Sequence, residues 1–87
     1  MERELMATYH VVQTFSRGPK GAMIVDLPRE MPSADQAERA ARRAAPLKLA
    51  AVAFSRSGDP VTGDWADAVV IFQSGELPAE MFGEMAA

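Results

Sequence analysis

The densest group of polar residues in this sequence is the segment 55–67, which reads Ser-Arg-Ser-Gly-Asp-Pro-Val-Thr-Gly-Asp-Trp-Ala-Asp. Its three carboxylates, Asp59, Asp64 and Asp67, are ligands of the kind that hard cations prefer. Their spacing differs from the Asp-x-Asp-x-Asp-Gly pattern of a calcium loop, and no Glu stands at the closing position. Asp-Pro and Gly-Asp are also typical of the two ends of a long hairpin loop. We therefore expect a hairpin connection here and no metal site.

The same segment is nevertheless the candidate contact surface, because it combines charged, hydroxyl and aromatic side chains. We expect it to face a protein partner. The alternative is that it binds a small molecule or a metal, with Trp65 and Arg56 taking part. The predicted contact residues in this loop are Arg56, Asp59, Thr62, Asp64, Trp65 and Asp67.

The remaining reactive side chains do not form a catalytic pattern. His10 is the sole histidine, and no Ser and carboxylate are spaced to act with it as a nucleophile and its orienting group. Gly18 and Gly21 lack the Lys-Ser/Thr pair of a phosphate-binding loop. Cysteine is absent, which excludes thiol chemistry and Cys-based zinc sites. We predict no catalytic residue and no cofactor; an enzyme site built across a dimer interface is the weaker alternative.

Composition and charge narrow the class of protein further. The chain has 87 residues, 48% of them hydrophobic, which predicts one globular domain over residues 1–87. A net charge of −3, with Asp35 and Glu38 one helical turn before Arg39 and Arg42, argues against nucleic-acid binding. Residues 1–6 are charged and lack the apolar core of a signal peptide, so we expect a disordered leader and a cytoplasmic protein. Neither apolar run, 49–54 or 66–72, is long enough to cross a membrane.

The predicted strands and loops determine where these residues lie. Strands are indicated over 8–15, 22–27, 50–56 and 65–73, where β-branched and aromatic residues concentrate. Residues 17–21 join the first two strands as a hairpin loop, and residues 57–64 join the last two. Pro28 and Pro32 flank a connection that we expect to lie outside the sheet.

Ser33 begins the clearest helix signal in the sequence. Gln36 stands three residues later, as in a capping box, and Pro46 ends the pattern near Ala45. Alanines recur at helical spacing on one side of this segment, which predicts a narrow apolar face. Pro78 is suited to the first turn of a short C-terminal helix.

The order β-β-α-β-β predicts an α+β fold: a four-stranded, mostly antiparallel sheet with one main helix on one face and a short C-terminal helical turn. Simple alternation puts Val70 and Phe72 on one sheet face and Val69 and Ile71 on the other. Both faces would then be apolar, while an alanine-lined helix covers only one. We therefore expect a two-fold homodimer, unless the segment 77–85 folds back over the open face.

The segments 53–60, 62–63, 67–70 and 75–78 together resemble small, uncharacterised bacterial proteins of ββαββ plan. The resemblance extends over about residues 9–78 and implies the fold. It implies no activity, because none is assigned to those proteins. We therefore expect a non-enzymatic module that associates with itself and mediates protein–protein interaction.

Overall fold

The computed structural model describes residues 6–77 of the chain. It contains six strands, one α-helix and two single 3₁₀ turns, Pro19–Gly21 and Ala45–Leu47. The strands are β1 (Ala7–Arg17), β2 (Met23–Val25), β3 (Arg29–Met31), β4 (Ala50–Asp59), β5 (Asp64–Trp65) and β6 (Val69–Gly75), and the helix α1 is Ala34–Ala44. Within this range no helix combines the length and the hydrophobicity needed to cross a bilayer.

The centre of the sheet is the antiparallel pair β1 and β4. Its register runs without interruption from Ala7 opposite Gly58 to Phe15 opposite Ala50. β2 and β3 both pair with β1 on its outer side, and β5 and β6 both pair with β4 on its outer side. The α+β class, the antiparallel sheet and the single main helix are confirmed.

The predicted number of four strands is wrong, because each outer row of the sheet is divided into two short strands. The second predicted strand ends at Val25, where Asp26 turns its carboxylate back toward β1. The connection after Pro28, expected to lie outside the sheet, instead forms β3 over Arg29–Met31. A proline removes only its own N–H, and both prolines lie just outside these three residues.

Helix α1 begins where the capping box predicts. The Oγ of Ser33 accepts a hydrogen bond from the N–H of Gln36 at 3.1 Å and donates one to its Oε1 at 3.2 Å. The helix ends at Ala44, and Pro46 lies in the 3₁₀ turn that follows. Asp35–Arg39 and Glu38–Arg42 are ion pairs, and both arginines are exposed.

The main core lies between α1 and one face of the sheet, which we call the helix face. Ala37, Ala40 and Ala41 of α1 are at most 3% exposed. They contact the small side chains of Ala51 and Ala53, and Val12 completes this buried cluster. Because the facing side chains are mostly methyl groups, the helix lies close to the strands.

The face turned away from α1, which we call the open face, carries a second cluster. Phe15, Ala50 and Val52 are at most 2% exposed, and Leu77 packs against them. This end of the open face is therefore covered by the first residue of the segment 77–85, which was expected to fold back over that face as the alternative to pairing. The predicted C-terminal helical turn, from Pro78 onward, lies outside the described residues. The predicted leader, residues 1–6, also lies outside the described residues, except for Met6, which is exposed.

A β-bulge in β6 changes which of its side chains share a face. Phe72 pairs with Ala53, but the next pair along β4 is Phe54 with Val70, so Ile71 is an extra residue. The extra residue shifts the alternation by one position. Val70 therefore lies on the open face, while Phe72 packs against the helix-face core. The predicted common face for Val70 and Phe72 is wrong.

Candidate functional site

A cavity of about 360 Å³ lies on the open face, at the end remote from Leu77. Among residues 6–77 its lining consists of five side chains, three of them aromatic: Tyr9, Val11, Phe54, Arg56 and Trp65. Side chains alternate between the two faces of a strand, and each of these five occupies a position that faces away from α1. We call this cavity the aromatic pocket.

Strand register brings the five side chains together. Tyr9 lies opposite Arg56, and Val11 lies opposite Phe54, in the central antiparallel pair. Residues directly opposite on one face of such a pair have side chains in contact range. Trp65 arrives from the short strand β5, where it pairs with Gly58.

Gly58 makes room for the Trp65 ring. A Cβ atom built at Gly58 would lie 2.5 Å from Cδ2 and Cε3 of Trp65, closer than carbon atoms can pack. The ring therefore lies directly on the backbone of β4. From there it meets Tyr9, with ring centroids 5.6 Å apart and planes tilted by 38°.

Arg56 supplies the charge in the aromatic pocket. Its Cζ lies 5.8 Å from the centroid of the Trp65 ring, within the range of a cation–π interaction. Its Nε is buried and has no hydrogen-bond partner among the described residues. Within residues 6–77 no carboxylate forms a salt bridge with it. A buried donor left unpaired is costly, and its burial keeps it from direct contact with an incoming molecule, so an anion would meet the outer Nη atoms of the guanidinium.

The carboxylates of the predicted contact loop serve the turn itself. Oδ1 of Asp59 accepts from the N–H of Val61 at 2.8 Å, and the Asp59 carbonyl accepts from the N–H of Gly63 at 2.8 Å. The Oγ1 of Thr62 donates to Oδ2 of Asp64 at 3.2 Å. These bonds close the turn between β4 and β5, as Asx and ST turns do.

The contact loop is therefore shorter than predicted and is not one surface. β4 continues to Asp59, and residues 60–63 alone separate it from β5. Of the predicted contact residues, Arg56 and Trp65 come together in the aromatic pocket. Asp59 and Asp64 are the strand residues on either side of the turn, and Thr62 lies within it. Asp67 is exposed in the connection between β5 and β6. Among the described residues no three His, Cys, Asp or Glu side chains are grouped to hold a metal ion.

His10 lies on the helix face, away from the aromatic pocket. Its Nδ1 is 2.7 Å from the Oγ of Ser55, its partner in the register, and the residue is half-buried. The predicted role of a partly exposed sheet residue agrees with this placement.

A polar cluster around Asp26 was not foreseen from the sequence. Its carboxylate accepts from the hydroxyls of Thr14 at 2.7 Å and Ser16 at 2.8 Å, and the Nζ of Lys48 is 3.3 Å away. These hydroxyl bonds, followed by the Lys48 ammonium, lower the pKa of Asp26. The cluster ties the break between β2 and β3 to β1. No local signal marks it, because its members are separated by up to 34 positions in the chain.

Tyr9, Val11 and Phe54 were likewise missed as members of one site. Alternation along the first strand puts Tyr9 and Val11 on a common face, but their partners depend on the pairing register. Comparisons with protein-family models, with curated proteins and with solved structures found no significant match to this chain.

Proposed function

We propose that this chain is a small, non-enzymatic interaction module that pairs with a second copy through its open face. The observation that carries the proposal is the apolar side chain of Val70. The bulge in β6 turns it onto the open face beside Phe54, and it remains 42% exposed. Val25, in the outer row on the other side of the sheet, is 63% exposed and pairs with Phe15 on the same face.

The energetic argument rests on uncovered apolar area. Among residues 6–77, α1 covers the centre of the helix face and Leu77 covers one end of the open face, which leaves Val70 and Val25 of the open face exposed. Burying 500 Å² of apolar surface per subunit contributes on the order of 12 kcal/mol before the costs of association. This is comparable with the whole stability of a domain, about 5–15 kcal/mol. A two-fold pair is the commonest way to bury such a face, and it closes without leaving a free copy of the same surface.

We propose no enzymatic role, because the polar side chains that could act as acid or base are hydrogen-bonded elsewhere in the fold. His10 is bonded to Ser55, and Asp59 and Asp64 are bonded within the turn. None of these groups reaches the aromatic pocket, so that pocket lacks a general acid or base from them. Cytoplasmic location and the lack of nucleic-acid or membrane partners belong to the same proposal, as does the resemblance to small bacterial ββαββ proteins.

Sedimentation equilibrium of the full chain at micromolar concentration tests the pairing. We expect a species of twice the 9.4 kDa chain mass. Val70→Glu places a charge in the proposed interface and should yield the single chain. Val69→Glu is the matched control: Val69 is its exposed neighbour, pairs with Ser55 and lies on the other face, so pairing should survive.

A wild-type protein that stays at 9.4 kDa when its concentration is raised tenfold would refute the proposal. So would an equal loss of pairing in Val69→Glu and Val70→Glu, because it would show that the open face is not the specific contact.

A second candidate function, binding of a small molecule, is favoured by the Arg56 guanidinium, which has no ion-pair partner among residues 6–77. Of the residues predicted for it, Arg56 and Trp65 alone line the aromatic pocket. A metal-binding version has no such support, because Asp59 and Asp64 are bonded within the turn and no three His, Cys, Asp or Glu side chains in the described range are grouped to hold an ion.

A further inference from the structure

We propose that the aromatic pocket binds a small organic monoanion, a carboxylate attached to a flat apolar body. This goes beyond self-association, since it assigns a ligand class to one end of the open face. The proposal joins two observations that are independent of each other. One is a shallow, open cavity with three aromatic rings in its lining, and the other is the Arg56 guanidinium in the same lining, which has no ion-pair partner among residues 6–77.

The guanidinium of Arg56 selects the anionic group. Because its Nε is buried, the two Nη atoms are the donors left for a ligand, and together they match the two oxygens of a carboxylate. No carboxylate within residues 6–77 takes this position. Within the described part of the chain Arg56 is the one cation lining the aromatic pocket, and one guanidinium balances one negative charge. A monoanionic carboxylate is therefore a better match than a phosphate dianion, which usually draws several cationic or N–H donors.

The rings select the rest of the ligand. Tyr9 and Trp65 contact each other at a tilt of 38°, with ring centroids 5.6 Å apart, so a flat group cannot enter between them. A planar apolar group can instead lie over this pair with Val11 and Phe54 beside it, since these side chains line the same cavity. A volume of about 360 Å³ lies at the lower end of the range for ligand pockets, which indicates a ligand of one or two rings.

Trp65 provides the measurement, because it is the only tryptophan of the chain and lines the aromatic pocket. The full chain is titrated with 3-phenylpropionate and, separately, with 3-phenylpropanamide, and the Trp65 fluorescence is followed. The two probes share the ring and linker and differ in the charge of the head group. We expect saturable binding of the carboxylate, about tenfold tighter than binding of the amide.

Arg56→Gln should remove this preference and leave the two probes bound about equally. Arg17→Gln is the control, since Arg17 belongs to the same sheet face at the opposite end of β1 and is exposed. It should retain the tenfold preference. Circular dichroism checks that both variants fold. If Arg56→Gln does not fold, Arg56→Lys replaces it; it keeps the charge without the planar fork and should lose most of the preference.

Three results would overturn the proposal. The first is no saturable change with either probe up to about 5 mM, which corresponds to no useful affinity. The second is an unchanged preference in the Arg56 variant. The third is a Trp65 emission that shifts with protein concentration alone and that the carboxylate does not reverse, because a side chain of a second copy would then be the occupant. This third result would leave self-association standing, so the two proposals fail separately.

Discussion

Replacing Gly58 by alanine is expected to expel the Trp65 ring from β4. The new Cβ would lie 2.5 Å from two ring carbons and 2.6 Å from the carbonyl oxygen of Asp64. Non-bonded carbon atoms rest about 3.5–4.0 Å apart, so the ring and the backbone of β5 must both retreat by about 1 Å. β5 has two residues, Asp64 and Trp65, and both belong to the displaced group.

The size of the effect follows from what the ring leaves behind. Overpacking of this kind costs about 1–3 kcal/mol. The lost contacts with Tyr9 and Arg56, at 5.6 and 5.8 Å, account for about 1–2 kcal/mol of it. Alanine restricts the unfolded chain more than glycine does, and this stabilises the folded state by about 0.5–1 kcal/mol. We expect a net loss of about 1–2 kcal/mol, or a melting temperature lower by about 4–16 °C in a domain of this size.

Thermal unfolding followed by circular dichroism measures the loss of stability, and the emission maximum of Trp65 should shift to the red in the folded state as the ring becomes hydrated. Gly63→Ala is the control. Gly63 has a φ of +82° with no atom within 4 Å of a built Cβ, so alanine there strains the backbone by about 1–2 kcal/mol and leaves Trp65 in place. A Gly58→Ala protein with the wild-type melting temperature and emission maximum would refute the proposed contact.

Three further outcomes are expected. Ser33→Ala should lower the free energy of unfolding in urea by about 1 kcal/mol, because the N–H of Gln36 loses its acceptor; an unchanged midpoint would contradict the capping role. The hydroxyl groups of β1, followed by Lys48, lower the pKa of Asp26, so its contribution to stability is present above the unfolded-state pKa of about 3.9 and is lost as the pH falls through the folded-state value. Denaturation midpoints should therefore fall less between pH 6 and pH 3 in Asp26→Asn than in the wild type. Equal falls in the two proteins would contradict the stabilising role of the ionised Asp26. Calorimetry should show no micromolar binding of zinc, calcium or manganese; such binding, abolished in Asp64→Asn, would show that the turn carboxylates do hold a metal.

The helix and the turns could be predicted because their signals are local. Ser33 and Gln36 are three residues apart, and their hydrogen bond closes within the first turn of α1. Gly18 and Pro19 break the chain between two β-rich stretches, which predicts the first hairpin without any knowledge of distant residues.

The division of the outer strands could not be predicted in this way. Residues 22–27 have the composition of one continuous strand, but Asp26 bonds to hydroxyl groups that β1 presents more than nine positions earlier in the chain. The bulge at Ile71 is equally invisible locally, since it exists only relative to the register of β4. One extra residue there decides that Val70, and not Phe72, lies on the open face.

The sequence alone thus determined the class of fold, the start of α1, the hairpin order and the apolar surplus that makes pairing worth proposing. Only the tertiary structure decided which side chains meet. Tyr9 and Trp65 are 56 positions apart and touch because β1 and β5 both flank β4, with Gly58 leaving space for the ring. Local preferences depend on neighbours along the chain, whereas a site on a sheet depends on pairing register, which the whole packed molecule selects.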